Sequence, residues 1–578
     1  MNKDWTIKKR APKKFLEKFP EFSQLMLQLL WNRGLKHREK IDEFFNPDYE
    51  KNLHDPFLLK GLKKSIKRIE GAARRNEKVV IFADYDADGV CSATLMVEVL
   101  ALYDLKPYVY IPDRQTEGYG LNFEAINEFS KRGYELIITV DCGITDIEEV
   151  RLAKQLKIDV LIFDHHEVLK KVPPALAIVN PKQKKCRYPF KNLSAAGVVF
   201  KLVQAVSEIK KMPKSWEKWL LDLVAISTVT DSMPLFGENR TLVKYGLIVL
   251  SQTKRKGLAA LMSQARINPS YDAEKMETNL STVTLGFMIG PRLNAASRID
   301  RGSLAYELLN AKTEEEAQAA AKKLEAKNLE RQKIVSVTLK EARGKILDTL
   351  DGKKVIFVGN KNWSNGIVGL IAQKLSEEFN RPAFVYRELN DRCVGSVRSL
   401  PGFNVVKAMA KCKDLLMEFG GHPEAAGFTV LNENLPGFKQ VIEKIAKKEL
   451  SQGELARSIY IDAEMDENDL SWKTFDEVRK FAPFENNNHI AETCNNLPLF
   501  LIKKAKIKSI RSVGSNGNHS KMSIGIKDKQ FTAIGFGLAN DCANIKTGDK
   551  VDIVFEMISN EWNDTKELQL RIVDLKKV

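Results

Sequence analysis

The chain has no apolar run approaching the roughly 18 residues that a membrane-spanning helix needs, and its basic opening, Met1 to Lys14, lacks the apolar core of a secretory signal. Cysteine is sparse and dispersed, with seven residues at 91, 142, 186, 393, 412, 494 and 542 and no CxxC pair among them. That usage excludes a zinc finger and a disulfide framework, and it is expected of reduced thiols in a cytoplasmic protein. Histidine is equally scarce, seven in 578 residues, yet two of the seven stand side by side at 165 and 166. Acids are in deficit: 75 against 91 lysines and arginines, for a net charge of +16 and a pI near 9.2. Such a balance suits a polyanionic partner, although a lysine-rich proteome produces it too.

With 44% hydrophobic residues, the chain has core material for about three or four domains. Its organising stretch runs from Lys78 to Ser92, where Val79-Val80-Ile81-Phe82-Ala83 reads as a strand that runs into Asp84, Asp86 and Asp88. Gly89 and small residues then open a helical run from Thr94 to Leu102. A strand that ends in acids lifts them onto the carboxyl edge of a sheet, where open α/β folds bind ligands. Three carboxylates this close raise one another's pKa unless cations sit between them, and hard divalent metals suit them. The spacing also copies the first half of a helix-loop-helix calcium loop, but the closing glutamate position is Leu95 and a strand precedes it. A solvated turn rich in Asp and Gly is the bland alternative.

Further strand ends carry acids. Glu135 to Val140 stops at Asp141, and Asp159 to Phe163 stops at Asp164-His165-His166. The apolar segment Leu220 to Val229, read here as another strand, stops at Thr230-Asp231. Each acid alone is as easily a helix cap. Four such ends in one sheet, with imidazoles among them, make a site for Mn²⁺ or Mg²⁺, and two ions balance so many carboxylates better than one.

Elsewhere the pattern changes by region. Phe22 to Leu30 and Leu62 to Ala73 have helical spacing, so residues 1–75 are expected to form a helical cap. Residues 76–302 alternate strands with helices, as a parallel doubly wound sheet does, and 303–350 read as one or two extended helices. Strand-helix alternation restarts over 351–455, with strands at Lys354 to Gly359, Ala383 to Tyr386 and Cys393 to Val397, and a helix from Gly366 to Phe379. Gly420 to Gly427 reads as a turn rich in glycine and alanine. From 456 to 578 short strands such as Phe500 to Ile510, Lys521 to Lys527, Phe531 to Phe536 and Val551 to Ile558 suggest a small barrel.

Asp86-x-Asp88 with Ser92, then Asp141, Asp164-His165-His166 and Asp231, in that order, resembles the DHH phosphoesterase superfamily. Gly290-Pro291-Arg292-Leu293-Asn294-Ala295-Ala296-Ser297-Arg298, Asn328 to Gln332, Gly395 to Ser399 and Gly420-Gly421-His422-Pro423-Glu424-Ala425-Ala426-Gly427 are similar to one branch of it. That branch degrades single-stranded DNA from the 5′ end, and the resemblance runs from about Leu25 to the carboxyl terminus. It implies an α/β multidomain chain with a catalytic DHH lobe, a linking helix, a DHH-associated lobe and a C-terminal barrel of the oligonucleotide-binding (OB) kind.

The implied activity is two-metal phosphodiester hydrolysis that releases 5′-mononucleotides, in DNA repair and recombination. The resemblance gives Asp84, Asp86, Asp88, Asp141, His165 and Asp231 as ligands of two Mn²⁺ or Mg²⁺ ions, Asp164 as their support, and His166 as the group that touches the scissile phosphate. Ser92, Arg292, Asn294, Arg298, Ser396, Arg398, Gly421 and His422 are the expected substrate contacts, with Ser396 and Arg398 gripping a terminal 5′ phosphate. In the barrel, Phe500, Phe531, Phe536, Lys503, Lys504, Lys506 and Lys508 are candidates for DNA contact, the aromatics being equally suited to its core. A monomer is expected, away from membranes, with single-stranded DNA as substrate and a single-stranded-DNA-binding protein and a helicase as partners.

The chain departs from the family pattern in three places. Ser297 stands where glycine is usual, Ser364 replaces the histidine of Trp-His-x-Gly, and Pro483-Phe484-Glu485-Asn486-Asn487 shortens a glycine turn. Two rival readings stay open at this point. One is a superfamily phosphodiesterase of short oligonucleotides or cyclic dinucleotides, which would lack the linking helix and the barrel. The other is a non-catalytic single-stranded-DNA-binding relative, against which every ligand position is filled.

Overall fold

Short runs rich in β-branched and aliphatic residues become the strands of the first lobe, the central three almost wholly buried. Val79–Ala83 (β1), Tyr108–Tyr110 (β2), Leu136–Val140 (β3), Asp159–Phe163 (β4) and Ala177–Val179 (β5) form an all-parallel sheet in the order β2-β1-β3-β4-β5. This computed structural model describes residues 3–114, 116–299, 302–347, 350–450, 458–485, 496–514, 516–562 and 565–578. Apolar clusters lie on both sheet faces, one gathered around Ile81, Ile138 and Leu161 and the other around Phe82, Ile137 and Ile162. Ala87–Ala101 (α1), Ala195–Ile209 (α2) and Leu221–Thr230 (α3) supply much of the first cluster.

The expected strand ending before Asp231 is the helix α3. Leu221 to Val229 are buried without exception, so no polar face marks the helical period. At ten residues the run also exceeds the usual strand. Asp231 therefore follows a helix and not a strand, its N–H bonded to Ser227 O at 2.9 Å.

Gly290–Ile299 (α4) leads by a short helix to Glu314–Leu347 (α5), a 34-residue helix rich in Ala, Glu and Lys. The second lobe is a mixed sheet of Ile356–Asn360 (β6), Ala383–Glu388 (β7), Arg392–Arg398 (β8), Glu418–His422 (β9) and Ala425–Leu431 (β10), ordered β9-β10-β8-β7-β6. Only β6 and β7 run parallel. The segment read as a Gly- and Ala-rich turn is a hairpin, because β9 and β10 pair from Glu418 with Thr429 to His422 with Ala425. Asn365–Phe379 (α6) packs on this sheet with Ile367, Ile371 and Leu375 in the core.

The chain divides into two compact units, Tyr49–Ala456, which holds both lobes, and Met1–Asp48 together with Arg457–Val578. Residues 1–75 are thus shared between the units, the boundary falling at Asp48. In the second unit the strand Asp4–Ile7 pairs in parallel with Ser458–Ile461. Five strands, Phe500–Val513 (β11), His519–Ile526 (β12), Lys529–Gly535 (β13), Lys550–Trp562 (β14) and Thr565–Lys577 (β15), close a barrel through β11–β14 pairing. Phe500 lies in its core and Phe536 is 58% exposed beside His519. Asn486, Asn487 and Cys494 lie outside the described residues. No helix among the described residues is long and apolar enough to cross a membrane.

Candidate active site

Ala83, Val140 and Phe163 face one another across β1, β3 and β4, and an aspartate follows each. Asp84 N bonds Val140 O at 3.3 Å, Asp141 N bonds Phe163 O at 3.0 Å and Asp164 N bonds Val179 O at 3.1 Å, so the ladder carries all three acids out in a row. The chain leaves β1 toward β2 on one side and returns to β3 on the other, which makes the carboxyl ends of β1 and β3 the point where the winding reverses. That crevice is where doubly wound sheets bind, and Asp84 and Asp141 stand at its two sides.

The second and third aspartates of the opening stretch belong to a helix start. Asp86 caps α1, its Oδ1 accepting from Asp88 N at 2.9 Å and Gly89 N at 3.2 Å. A side chain at 89 would meet Asp84 O at 2.3 Å, so only glycine lets α1 start this close to the sheet. Asp88 lies in the first turn of α1, where Ala196 N and Ser227 Oγ donate to Oδ1 (2.8 and 2.6 Å) and Ala195 N donates to Oδ2 (2.8 Å). Those donors include the free amides at the start of α2, which favour a negative charge.

Ser92 is fully buried and points its hydroxyl at Asp88 Oδ1, 3.4 Å away. It therefore backs a carboxylate and does not contact substrate, contrary to the expectation from sequence. The reason is geometric: one helical turn separates positions 88 and 92.

The described acids and imidazoles form overlapping groups whose ligand atoms all lie within 4.8 Å of one another: Asp84, Asp86 and Asp141; Asp88, His165 and Asp231; and Asp141, His165 and His166. His165 Nε2 is 3.4 Å from Asp141 Oδ1, 3.5 Å from Asp231 Oδ2 and 3.9 Å from Asp88 Oδ2. Asp84 Oδ1, Asp141 Oδ1, Asp231 Oδ2 and both nitrogens of His165 are buried without a hydrogen-bond partner from the protein. Buried polar atoms otherwise find partners, and bare carboxylate oxygens around a bare imidazole are the donor set of a hard-to-borderline cation. Two trios with Asp141 between them fit a pair of divalent ions.

The electrostatics agree. Burial first, then the neighbouring carboxylates, push Asp84, Asp141 and Asp231 well above the usual carboxylate range, and Asp86 is raised by burial and by Asp88. Burial takes His165 down to about 4, which keeps its imidazole neutral, as a metal ligand must be.

Asp164 has a different task. Its Oδ1 accepts from His165 N (2.7 Å), His166 N (3.0 Å) and His166 Nδ1 (2.7 Å), and its Oδ2 from Ile144 N (3.1 Å). Burial alone would raise it, but the bond and charge of His166 bring it down to about 2. His166 in turn rises to about 9, the pull of Asp164 outweighing burial. His422, at the end of β9 beside Gly421, stacks on His166 with ring centroids 6.4 Å apart and planes at 16°, so the second lobe meets the centre here.

The arginines expected along the DNA path part company. Arg292 forks onto Glu325 of α5 (2.5 and 3.2 Å) and donates to Met288 O at 2.7 Å, so its guanidinium ties α4 to α5 and is not presented to a phosphate. Asn294 Oδ1 accepts from Ala87 N at 2.7 Å and holds the start of α1. Ser297 is buried, its hydroxyl on Asn294 O, and Ser364 caps α6 through Gly366 N.

Arg298 donates to Gly366 O at 3.2 Å. Burial, then the charges of Arg114, Arg331 and Arg398, lower it to about 9. Arg398 reaches Ser396 Oγ at 2.8 Å, and Arg331 reaches Asn328 Oδ1 at 2.9 Å. Among the described residues no carboxylate forms an ion pair with any of these four guanidinium groups, a cluster beside Asp86 whose chemistry suits an anion. Arg114 and Tyr119, whose hydroxyl lies 3.0 Å from Asp141 O, are absent from the residues expected from sequence, and Arg331 falls within the Asn328 to Gln332 run without a role given to it. The flanking Gly118 and Gly120 were the available signal for Tyr119.

Acids and an Asp-His-His run on a parallel sheet, closed by a second lobe through Gly-Gly-His, define a DHH-type phosphoesterase. Residues 78–228 match the family model "DHH family, N-terminal domain", 352–448 the "DHHA1 domain" and 461–574 the "RecJ OB domain". The chain belongs to the RecJ family of single-stranded-DNA-specific exonucleases. It is 37% identical to the Bacillus subtilis RecJ over 552 residues, covering 95% of this chain and 67% of that protein. It is 30% identical to the Escherichia coli RecJ, covering 80% and 82%. The crystal structure of Thermus thermophilus RecJ in complex with Mn²⁺ superposes with a TM-score of 0.82 at 28% identity, covering all of this chain and 80% of that one.

Proposed function

We propose that this chain hydrolyses single-stranded DNA from its 5′ end and releases 5′-mononucleotides, with Asp84, Asp86 and Asp141 holding one divalent ion and Asp88, His165 and Asp231 a second. The observation that carries this reading is the set of buried, partnerless ligand atoms around Asp141. Bound Mn²⁺ or Mg²⁺ supplies an activated water and neutralises charge on the phosphoryl oxygens.

The protein's own residues do the rest. Asp164 fixes the His166 ring by its Nδ1–H, which leaves Nε2 to donate to a non-bridging oxygen of the scissile phosphate. Arg114, Arg298, Arg331 and Arg398 with Ser396 receive the terminal 5′ phosphate, so the first phosphodiester falls at the acids and the polarity is set. His422 closes over the reacting nucleotide from the second lobe, and the exposed lysines and Phe536 give the barrel a surface of its own for single strands. Domain limits of 76–302, 303–350, 351–455 and 456–578 accommodate the three family matches. The six cysteines among the described residues are free thiols, which fits work in a reducing cytoplasm. By family likeness the enzyme acts as a monomer in repair and recombination, with a helicase and a single-stranded-DNA-binding protein as partners.

The test is digestion of 5′- and 3′-end-labelled single- and double-stranded DNA with Mn²⁺, Mg²⁺ or a chelator. Mononucleotide release from 5′ ends of single strands alone, lost in chelator, is expected. Release from 3′ ends, or turnover in chelator, defeats the proposal.

A further inference from the structure

Asp141 is a buried non-glycine residue with φ +63°, in the left-handed region that L residues rarely enter. That turn swings its carboxylate off the line of β3 to within 3.4 Å of His165. Something must hold it there. Its N–H is tied to Phe163 O, and its carbonyl accepts the hydroxyl of Tyr119 at 3.0 Å. The same hydroxyl oxygen lies 3.3 Å from His166 Nδ1. One side chain thus reaches the backbone of a proposed ion ligand and the ring proposed to touch phosphate.

The loop that carries Tyr119 is shaped to deliver it. Gly118 and Gly120 have φ of +84° and +85°. A Cβ at 120 would lie 2.7 Å from Asp146 Oδ2. Asp146 Oδ2 itself accepts from Leu121 N at 2.7 Å and pins the loop's far end. At the near end Glu117 accepts from Asp113 N (2.9 Å), Tyr110 Oη (2.5 Å) and Asn122 Nδ2 (3.1 Å). Tyr119 is 46% exposed, its hydroxyl turned in and its ring edge-on to His166.

We infer that Tyr119 is a positioning residue for the metal centre: its hydroxyl holds Asp141 in the left-handed turn that makes it a ligand. The inference rests on the two-ion reading above. It differs from a role for the ring as a stacking surface, since it places the function in the hydroxyl.

Tyr119→Phe keeps the ring and removes the bond. In the full-length, metal-free protein, titrated calorimetrically with Mn²⁺ in the absence of DNA, the variant is expected to bind about tenfold more weakly, roughly 1.4 kcal/mol. Its KM for a 5′-phosphorylated single-stranded oligonucleotide should stay within twofold of the parent, with kcat falling at limiting Mn²⁺. Tyr119→Ala should match it in Mn²⁺ affinity. Mn²⁺ binding by Tyr119→Phe within twofold of the parent, or a defect confined to KM, overturns the inference. Asp141→Ala serves as the control: if it binds Mn²⁺ as the parent does, the two-ion reading fails, whatever Tyr119 does.

Discussion

Asp164→Asn removes one charge and one acceptor while keeping the shape of the side chain. Three donors claim Oδ1 and one claims Oδ2, so the amide oxygen must take the Oδ1 place and the amide nitrogen is left facing Ile144 N–H. Two donors then meet in a site with no solvent access, a cost of about 1–3 kcal/mol. The charge adds a second loss. Asp164 sits near 2 against an ordinary 3.8, a drop corresponding to roughly 2 kcal/mol at about 1.4 kcal/mol per pH unit.

The pH dependence separates the two losses. A depressed carboxylate stabilises fully above its ordinary value, and that contribution disappears as pH falls toward 2. His166, raised from 6.5 to about 9, stabilises fully below 6.5, and its contribution disappears as pH rises through 9. Both describe one pair and are not summed. The penalty is therefore greatest between about pH 4 and 6.5, near 3–5 kcal/mol, and shrinks to the donor clash above pH 9. Urea unfolding of the Tyr49–Ala456 unit in chelator should show a midpoint lowered by about 1 M at pH 5.5, taking roughly 4 kcal/mol per M for a unit this large. A penalty that stays constant from pH 5.5 to 9.5, or falls below about 1 kcal/mol at pH 5.5, refutes the reasoning.

Asp141→Ala should lower cleavage by at least about a thousandfold, on the scale of losing an essential charge-stabilising group, while single-strand binding by fluorescence anisotropy survives; retained turnover removes the metal site as drawn. Arg398→Ala should reduce the preference for 5′-phosphorylated over 5′-hydroxyl ends by about tenfold, the scale of one charge-assisted bond, read as a ratio of kcat/KM, and an unchanged ratio counts against the phosphate cluster. Arg292→Ala should destabilise by about 1–3 kcal/mol through loss of its partly buried fork on Glu325. Its salt dependence of DNA binding should match the parent's, and a salt slope lowered by about one would return Arg292 to the DNA path.

Local features were legible in the sequence and distant partnerships were not. Asp84, Asp141 and Asp164 each follow a short apolar strand, so their place on a sheet edge could be read from a few residues either side. Asp231 was reached by its order in the family pattern although its helix was read as a strand, because complete burial of α3 erases the helical period. Ser92 was misplaced for a related reason. With the helix start set at Thr94 instead of Ala87, the one-turn relation between Asp88 and Ser92 was hidden. Arg292 carries the same charge whether it meets phosphate or Glu325, and nothing near position 292 tells which. The strand Asp4–Ile7 pairs with one more than 450 positions away, so sequence offered no local cue that the opening residues join the barrel unit.

The aspartates also divide in a way that composition cannot show. Asp164 spends both oxygens on backbone and imidazole donors and so builds the frame. Asp84, Asp141 and Asp231 each keep a buried oxygen without a protein partner, and it is this vacancy in hydrogen bonding that suits them to a cation. Asp86 and Asp88 take part in both, accepting from helix-start amides while lying in the ligand trios. Frame and ligand are the same residue type in the sequence. What separates Asp84, Asp141 and Asp231 from Asp164 is how many backbone N–H groups the fold aims at each carboxylate: three reach Asp164, and none occupies the bare oxygens of the other three.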